Sequence, residues 1–302
     1  MHKFGTVALI GPPNAGKSTL MNQYIGQKVA IVSPRPQTTR NRISGIYTDD
    51  ESQIVFLDTP GIHQLRGKMN RFLLESAWNA LASADAVVVL IDAALYAAKP
   101  HLLDKEIKPL VKPVKETGRP VLVAVNKVDR VKDKPTMLPV MAKLGELWPE
   151  AEFIPISALR GQGTDELKAK ILDIIPEGPP MFPEDQISTA PVRFMASEII
   201  REKLFYSLRQ ELPYTTAVEI EVWDEESRPD MILVNAVIYT AQKNHKGMII
   251  GKQGANLKKV GSEARKEISE LLDSKVHLEL WVKVRSGWTE DPGFLRAMGL
   301  GE

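Results

Sequence analysis

The stretch GPPNAGKS at residues 11–18 decides the fold of the first half of this 302-residue chain. It fits the pattern G-x-x-x-x-G-K-[ST], follows the apolar run TVALI and precedes a helical pattern. Gly11 lets the chain leave a strand in a tight loop, and Gly16 lets backbone N–H groups converge on phosphate oxygens at a helix N-terminus. Lys17 supplies a positive charge to the β and γ phosphates, and Ser18 offers a hydroxyl to Mg²⁺. The sequence therefore predicts a phosphate-binding loop.

The composition is that of an ordinary globular protein of about two domains. The chain is 43% hydrophobic and 25% charged, has a formal net charge of +1 and contains no cysteine. Disulfides, thiolate metal sites and a cysteine nucleophile are thereby excluded. The longest apolar run, AVVVLIDAALYAA from Ala86, is interrupted by Asp92, and the N-terminus lacks the apolar core of a signal peptide. We expect a cytosolic protein.

The order of apolar runs predicts two different folds in one chain. The first half alternates helical patterns with the runs TVALI, ISGIYT, QIVFLD, AVVVLID, PVLVAVNK and EFIPIS, which are typical of strands buried on both faces. This indicates an α/β domain, a mostly parallel sheet with helices on both faces. Five prolines in residues 176–191 indicate a boundary, and a small α+β domain follows it. The predicted limits are 1–178, a proline-rich linker at 179–192, and 193–302.

Short motifs at the ends of these strands favour guanine over adenine. Asp58, in DTPG, is placed to hold Mg²⁺ through water, and Gly61 N–H to sense a γ-phosphate. In NKVD, Asp129 is placed to accept hydrogen bonds from guanine N1–H and N2–H₂, and Lys127 to lay its aliphatic stem over the base. The N–H of Ala158 is expected to reach guanine O6. Four motifs in this order, each at the carboxyl end of a strand, predict a guanine nucleotide site.

The polar segment SPRPQTTRNRISG between these motifs is expected to act as a switch. Thr39 is assigned to Mg²⁺ and the γ-phosphate, with Thr38 as the alternative, and a plain surface loop is the competing interpretation. The predicted metal ligands are thus Ser18, Thr39 and, through water, Asp58. The predicted GTP-binding residues are Gly11, Pro12, Pro13, Asn14, Ala15, Gly16, Lys17, Ser18, Thr19, Asp58, Thr59, Pro60, Gly61, Ile62, Asn126, Lys127, Val128, Asp129, Ser157 and Ala158.

The second half carries a candidate RNA-binding loop. HKGMIIGKQGANLKKVG contains G-x-x-G at Gly251–Gly254, and the window 243–266 holds seven Lys or Arg residues against one Glu. A loop of this kind brings an RNA backbone close to two helix N-termini in KH domains, and the element order suggests a type II KH fold. The predicted RNA-binding residues are Lys246, Gly247, Ile250, Gly251, Lys252, Gln253, Gly254 and Lys258.

Other residues of the second half are assigned to packing or to further RNA contacts. Ile249, Ile250, Leu257 and Val260 are expected to line an apolar groove for bases. Lys283 and Arg285 either extend the phosphate track or lie on a solvated strand face. Trp281 and Trp288 are expected to pack rather than to stack on bases.

The chain resembles the Era-type GTPases from end to end. GPPNAGKS, QTTRNR, DTPG, NKVD and ISA resemble the nucleotide-binding motifs of the wider GTPase class, and RFMASEIIREKL, ELPY and VHLELWVKVRSGW narrow the resemblance to Era. Pro12 departs from the family, which usually has arginine there. The resemblance implies a GTPase that binds 16S rRNA near its 3′ end on the small ribosomal subunit and acts in 16S rRNA processing and 30S subunit assembly. It also implies peripheral contact with the inner membrane, and we expect a monomer.

Intrinsic GTP hydrolysis is expected to be slow unless another group positions the attacking water. Ile62 stands where small GTPases that orient the attacking water carry glutamine. Lys17, Thr39 and Asn14 are the candidate catalytic residues. Asn14 either helps to coordinate K⁺, as the resemblance implies, or caps the local turn. Arg40 and Arg42 are further candidates, but are more often solvent or RNA contacts.

Taken together, the two halves predict an RNA-binding protein that is switched by GTP binding and hydrolysis. Two other functions compete with this interpretation. One is an RNA-binding module whose nucleotide site is a structural or sensing element with negligible GTP turnover, an alternative that Ile62 leaves open. The other is a tRNA-modifying GTPase, for which the sequence shows no added catalytic domain. A metabolic kinase or ATPase is disfavoured by NKVD. The cofactors expected are GTP or GDP, Mg²⁺ and K⁺.

Overall fold

In the computed structural model, residues 2–33, 35, 38–62 and 67–300 are described. The chain divides into two compact units. The first comprises Met1–Ala30, Thr39–Leu65 and Leu73–Thr189, and the second comprises Ile31–Thr38, Arg66–Phe72 and Ala190–Glu302. The domain limits expected from the sequence, at 178 and 192, stay a prediction.

The first unit is built on a six-stranded sheet in the order β2-β3-β1-β4-β5-β6. Strand β2 is antiparallel to β3, and the other neighbouring pairs are parallel. This confirms the mostly parallel sheet predicted from the near-continuous apolar runs. The strands are β1 (Lys3–Ile10), β2 (Ile43–Thr48), β3 (Ser52–Asp58), β4 (Ala86–Asp92), β5 (Val121–Asn126) and β6 (Glu152–Pro155).

Helices cover this sheet, and its central strands are buried as a result. All seven residues of β3 are buried, as are the first six of β4. A π-helical turn at Leu103–Ile107 leads into α4. The helices are α1 (Lys17–Ile25), α2 (Lys68–Ser83), α3 (Ala93–Ala98), α4 (Lys108–Glu116), α5 (Leu138–Leu147) and α6 (Thr164–Ile174).

Parallel register brings the carboxyl ends of β1, β3, β4 and β5 to one edge of the sheet. Leu9 pairs with Asp58, and Asp92 pairs with Asn126. Polar residues at the ends of separate strands therefore become neighbours, which is where open α/β sheets bind ligands.

The proline-rich segment lies along the β2–β3 edge of the same unit. The side-chain oxygen of Gln53 accepts hydrogen bonds from the N–H groups of Met181 (2.8 Å) and Phe182 (2.9 Å). The N–H of Ile46 donates to the carbonyl of Ile187 at 2.9 Å. This part of the predicted linker is therefore held by the sheet rather than extended in solvent.

The second unit contains a three-stranded sheet in the order β7-β8-β9. Strands β7 and β8 are antiparallel, with a bulge at Ile220/Val222, and β8 and β9 are parallel. Apolar residues of α7 and α9, among them Ile200, Leu204 and Val260, pack into its core. No helix in the described part of the chain is long and apolar enough to cross a membrane. The elements are α7 (Val192–Ser207), β7 (Thr216–Asp224), β8 (Ile232–Thr240), α8 (Lys243–Ile250), α9 (Ala255–Leu272), β9 (Val276–Val284) and α10 (Pro292–Ala297).

The two tryptophans near the C-terminus have opposite environments. Trp288 is fully buried, donates its indole N–H to the Thr215 carbonyl (3.1 Å) and contacts the ring of Phe294. Trp281 is 60% exposed, so the expectation that it packs was wrong. Strand β9 alternates between faces, and Trp281 is on the same exposed face as Lys283.

Candidate functional site

The phosphate-binding loop closes against β5 through a glycine. Gly16 has a φ of 102°, and a Cβ atom there would lie 2.2 Å from Nδ2 of Asn126. That amide nitrogen donates to the carbonyl of Ala15 at 2.7 Å. A side chain at Gly16 would therefore disrupt the contact that joins the loop to the end of β5.

Lys17 begins α1 with its ammonium group buried and bonded to neutral oxygens. Its Nζ donates to the carbonyls of Gly11 (3.1 Å) and Pro12 (3.0 Å), and the residue is 6% exposed. Burial lowers the pKa of Lys17 to about 8; the Asp58 carboxylate opposes this shift and the Lys127 charge adds to it. The loop thus holds a desolvated cation that phosphate oxygens would stabilise.

Three side chains with oxygen atoms that can bind a metal meet where the sequence predicts Mg²⁺. Oδ2 of Asp58 accepts from Oγ of Ser18 at 2.5 Å and from Oγ1 of Thr39 at 3.1 Å, and the two hydroxyls are 3.0 Å apart. Oδ1 of Asp58 is buried without a hydrogen-bond partner in the described part of the chain. Burial raises the pKa of this carboxyl, while Lys17, Ser18 and Thr39 oppose the shift. Hydroxyl and carboxylate oxygens are the ligands Mg²⁺ prefers, so these residues fit the metal.

Thr39 rather than Thr38 joins this cluster. The hydroxyl of Thr38 donates to the carbonyl of Arg35 at 2.8 Å and lies 2.7 Å from Oγ of Ser33. Of the predicted switch segment, Pro34, Pro36 and Gln37 lie outside the described residues.

The predicted base-reading residues lie at the ends of β5 and β6. Oδ1 of Asn126 accepts from the N–H groups of Lys127 (2.8 Å) and Ala158 (2.9 Å). Since the Ala158 N–H is engaged in this way, its contact with guanine O6 stays a prediction. Oδ2 of Asp129 lies 3.6 Å from Nε of the largely exposed Arg160. The carboxylate assigned to guanine thus has a cationic neighbour that the sequence analysis did not identify.

Lys127 is tied to two other parts of the site. It has a left-handed backbone, with φ of 66°, and its Nζ donates to the carbonyl of Asn14 (2.5 Å) and to Oδ2 of Asp92 (2.6 Å). Sequence reasoning treated Asp92 only as a break in an apolar run. Its position at the end of a buried strand, like that of Asp58 at the end of β3, was the available signal.

The structure places Ile62 where its side chain does not position the attacking water. Ile62 is 8% exposed and packs in the core beside the sheet, while its N–H donates to the Gly11 carbonyl at 3.1 Å. Its side chain has no polar atom to orient water. Arg40 is buried, so the expectation of a solvent contact was wrong for this residue, whereas Arg42 is exposed and keeps its expected solvent or RNA contact as a prediction. The side chain of Asn14 is exposed, and both of its possible roles stay open.

The loop Gly251–Gly254 joins α8 to α9 in a conformation suited to close backbone approach. Gly251, Gln253 and Gly254 all have positive φ, at 75°, 51° and 77°. The N-cap residue of α9 is Gly254, which has no side chain with which to cap the first N–H groups of the helix. A phosphate placed there would be bound by N–H groups and the helix dipole.

Exposed lysines surround this loop. Lys246, Lys252 and Lys258 are exposed, and none of them forms an ion pair with another residue that the structure describes. By contrast, Lys283 pairs with Glu221 at 2.7 Å and Arg285 pairs with Asp291 at 2.9 Å. Those two charges are balanced locally, which favours the solvated strand face over an extended phosphate track.

Of the four residues expected to line an apolar groove, two are accessible and two are not. Ile250 and Leu257 are partly exposed and remain able to contact a base. Ile249 and Val260 are fully buried in the core of the second unit, so their assignment to the groove was wrong. Helical spacing identified an apolar face but not which of its residues lie at the rim.

Comparison with known proteins identifies the family. A family profile described as "50S ribosome-binding GTPase" matches residues 6–127, and one described as "KH domain" matches residues 211–289. GTPase Era of Nitratidesulfovibrio vulgaris (strain DP4) is 60% identical over 299 residues, which cover 99% of this chain and 97% of that protein. The chain belongs to the Era family of GTPases. GTPase Era of Geobacter metallireducens is 44% identical, over 98% of this chain and 97% of that protein.

Solved Era structures share the fold over the full length. The crystal structure of Era in complex with MgGDPNP and nucleotides 1506–1542 of 16S ribosomal RNA has a TM-score of 0.91 and 39% identity, with 100% of both chains covered. That of an Aquifex aeolicus Era variant bound to GDP.AlF4- has a TM-score of 0.90 and 39% identity, covering 99% of this chain and 100% of that one. The Era-type GTPase with a C-terminal KH domain, predicted from the sequence, is confirmed.

Proposed function

We propose that this Era-family GTPase binds 16S rRNA near its 3′ end through the loop Gly251–Gly254, under control of the bound guanine nucleotide. It would act in 16S rRNA processing and small-subunit assembly. The observation that carries this proposal is the uncapped N-terminus of α9 among three exposed lysines without ion-pair partners in the described chain. The Era structure solved with nucleotides 1506–1542 of 16S rRNA supports the choice of RNA.

The residues of the first unit are assigned complementary tasks on the nucleotide. Lys17 and the loop N–H groups bind the phosphates, while Asp129 and Lys127 select and cover guanine. Ser18, Thr39 and, through water, Asp58 would hold Mg²⁺, which neutralises charge on the β and γ phosphates. Loss of the Thr39 contact after hydrolysis would release the switch segment.

Turnover is expected to be slow until another group helps to position water, because the Ile62 side chain is apolar and buried. Potassium at Asn14 is one candidate for offsetting charge. A monomeric state and a cytosolic location remain predictions from the sequence, and peripheral contact with the inner membrane remains a prediction from the family resemblance.

Two matched glycine substitutions test the RNA assignment. Gly254 and Gly287 lie in the second unit, have φ of 77° and 69°, and have open space where a Cβ would be added. Gly254→Asp places a carboxylate beside the proposed phosphate position and is expected to weaken binding of a 16S rRNA fragment of nucleotides 1506–1542 about tenfold or more. Gly287→Asp makes the same chemical change elsewhere and is expected to leave binding nearly unchanged. Equal losses in both variants, or none in Gly254→Asp, would contradict the assignment.

A further inference from the structure

The carboxylate of Asp92 has two partners with different roles. Oδ1 accepts a hydrogen bond from the N–H of Leu95 at 3.0 Å and so caps the N-terminus of α3. Oδ2 lies 2.6 Å from Nζ of Lys127, in an ion pair whose side chains are 16% and 21% exposed. The helix cap fixes the direction of the carboxylate, and the second oxygen is left for the ammonium group.

The ammonium of Lys127 is in turn held from two sides. It also donates to the carbonyl of Asn14, in the phosphate-binding loop, at 2.5 Å. Both Lys127 and Asn14 have left-handed backbones, with φ of 66° and 62°. Non-glycine residues adopt this region infrequently and are kept in it by surrounding contacts. The ion pair therefore joins the ends of β4 and β5 to the phosphate-binding loop.

We propose that Asp92 is a positioning residue for guanine nucleotide binding, acting through Lys127. By fixing the ammonium, it orders the aliphatic stem of Lys127 before the base arrives. A free lysine loses side-chain rotamer freedom when it is immobilised, and a lysine that is already ordered avoids much of this loss on binding. The inference rests on the proposed contact between Lys127 and guanine.

Capping of α3 is the competing explanation for Asp92, and two substitutions separate the roles. Asp92→Ser retains an oxygen that can cap the helix, and Asp92→Asn retains Oδ1, but both remove the negative charge beside Lys127. Each is expected to accelerate dissociation of a fluorescent GDP analogue about tenfold, with little change in thermal unfolding. Glu152→Gln removes the partner of Lys170 (2.8 Å) elsewhere in the first unit and is the control, with no expected change.

A double-mutant cycle shows whether Asp92 acts through Lys127. Lys127→Met keeps an aliphatic stem but removes the ammonium, and is expected to accelerate GDP dissociation. Adding Asp92→Ser to Lys127→Met is expected to change the rate no further. If Lys127→Met accelerates dissociation but Asp92→Ser and Asp92→Asn do not, or if the effects multiply fully, the inference is wrong. If Lys127→Met itself has no effect, fixing the ammonium contributes nothing to nucleotide binding and the inference is wrong, whereas the guanine contact is made by the stem that Met retains. Lys127→Ala removes the stem as well, and GDP dissociation at an unchanged rate in that variant would contradict the guanine contact itself.

Discussion

Alkaline pH is expected to weaken GDP binding through Lys17. Burial lowers the pKa of this ammonium to about 8 in the nucleotide-free protein, whereas phosphate oxygens would favour its charged form and raise the pKa again. Because the pKa of Lys17 is then lower in the free protein than in the GDP complex, GDP binding is accompanied by uptake of a proton. The affinity is then constant below that pKa and falls as pH rises above it.

The pKa sets the size of the effect. At about pH 7 some nine-tenths of the free protein carries a charged Lys17, and at about pH 9 roughly one-tenth does. The dissociation constant for GDP is therefore expected to be about tenfold higher at the more alkaline pH, a change of about 1.4 kcal/mol. The dissociation constant begins to rise near pH 8, and at higher pH its rise approaches tenfold per pH unit.

Calorimetric titrations of GDP at fixed Mg²⁺ and K⁺ across this pH range provide the measurement. Lys17→Arg is the control because a guanidinium stays charged throughout, and ionisation of the nucleotide affects both proteins equally. The difference between the two pH profiles isolates Lys17. A flat profile for the unchanged protein, or the same slope in Lys17→Arg, would refute this account of the buried ammonium.

Two further substitutions test the same site. Asp129→Asn is expected to weaken GDP binding about 10²-fold or more and to raise affinity for xanthosine diphosphate, as measured by competition binding; an unchanged base preference would exclude Asp129 as the guanine-reading group. Gly16→Ala introduces a Cβ 2.2 Å from the Asn126 amide at a φ of 102° and is expected to destabilise the fold by about 1–3 kcal/mol in urea denaturation. Its control is Gly26→Ala, at a φ of 72° with open space around it, which is expected to cost about 1 kcal/mol or less.

The sequence signals that predict the nucleotide site are local and ordered. GPPNAGKS, DTPG and NKVD each follow an apolar run, and parallel pairing brings the ends of such runs together. That rule places Ser18 and Asp58 together, whereas Thr39 was assigned from its position in the polar segment between α1 and β2, with Thr38 as the alternative. Asp92 obeys the same rule, but no motif marks one acidic residue after an apolar run, and its pairing with Lys127 at 2.6 Å is evident only from the structure.

The second unit shows what periodicity leaves open. The alternating pattern of β9 identified a strand with two faces, but a tryptophan fits either a buried or an exposed face, and Trp281 lies on the exposed one. Similarly, the apolar residues near the KH loop could be recognised as a set, whereas the burial of Ile249 and Val260 depends on α7 and the sheet packed against them. Which apolar residues lie at a rim is a property of the packed core.

The most direct test of the central claim is GTP hydrolysis in K⁺ buffer with and without RNA carrying the 3′ end of 16S rRNA, with Gly254→Asp measured in parallel. The account predicts slow turnover that rises clearly with RNA in the unchanged protein, and the same slow basal rate with little rise in Gly254→Asp. Tight RNA binding without any change in turnover would contradict coupling between the nucleotide and RNA sites.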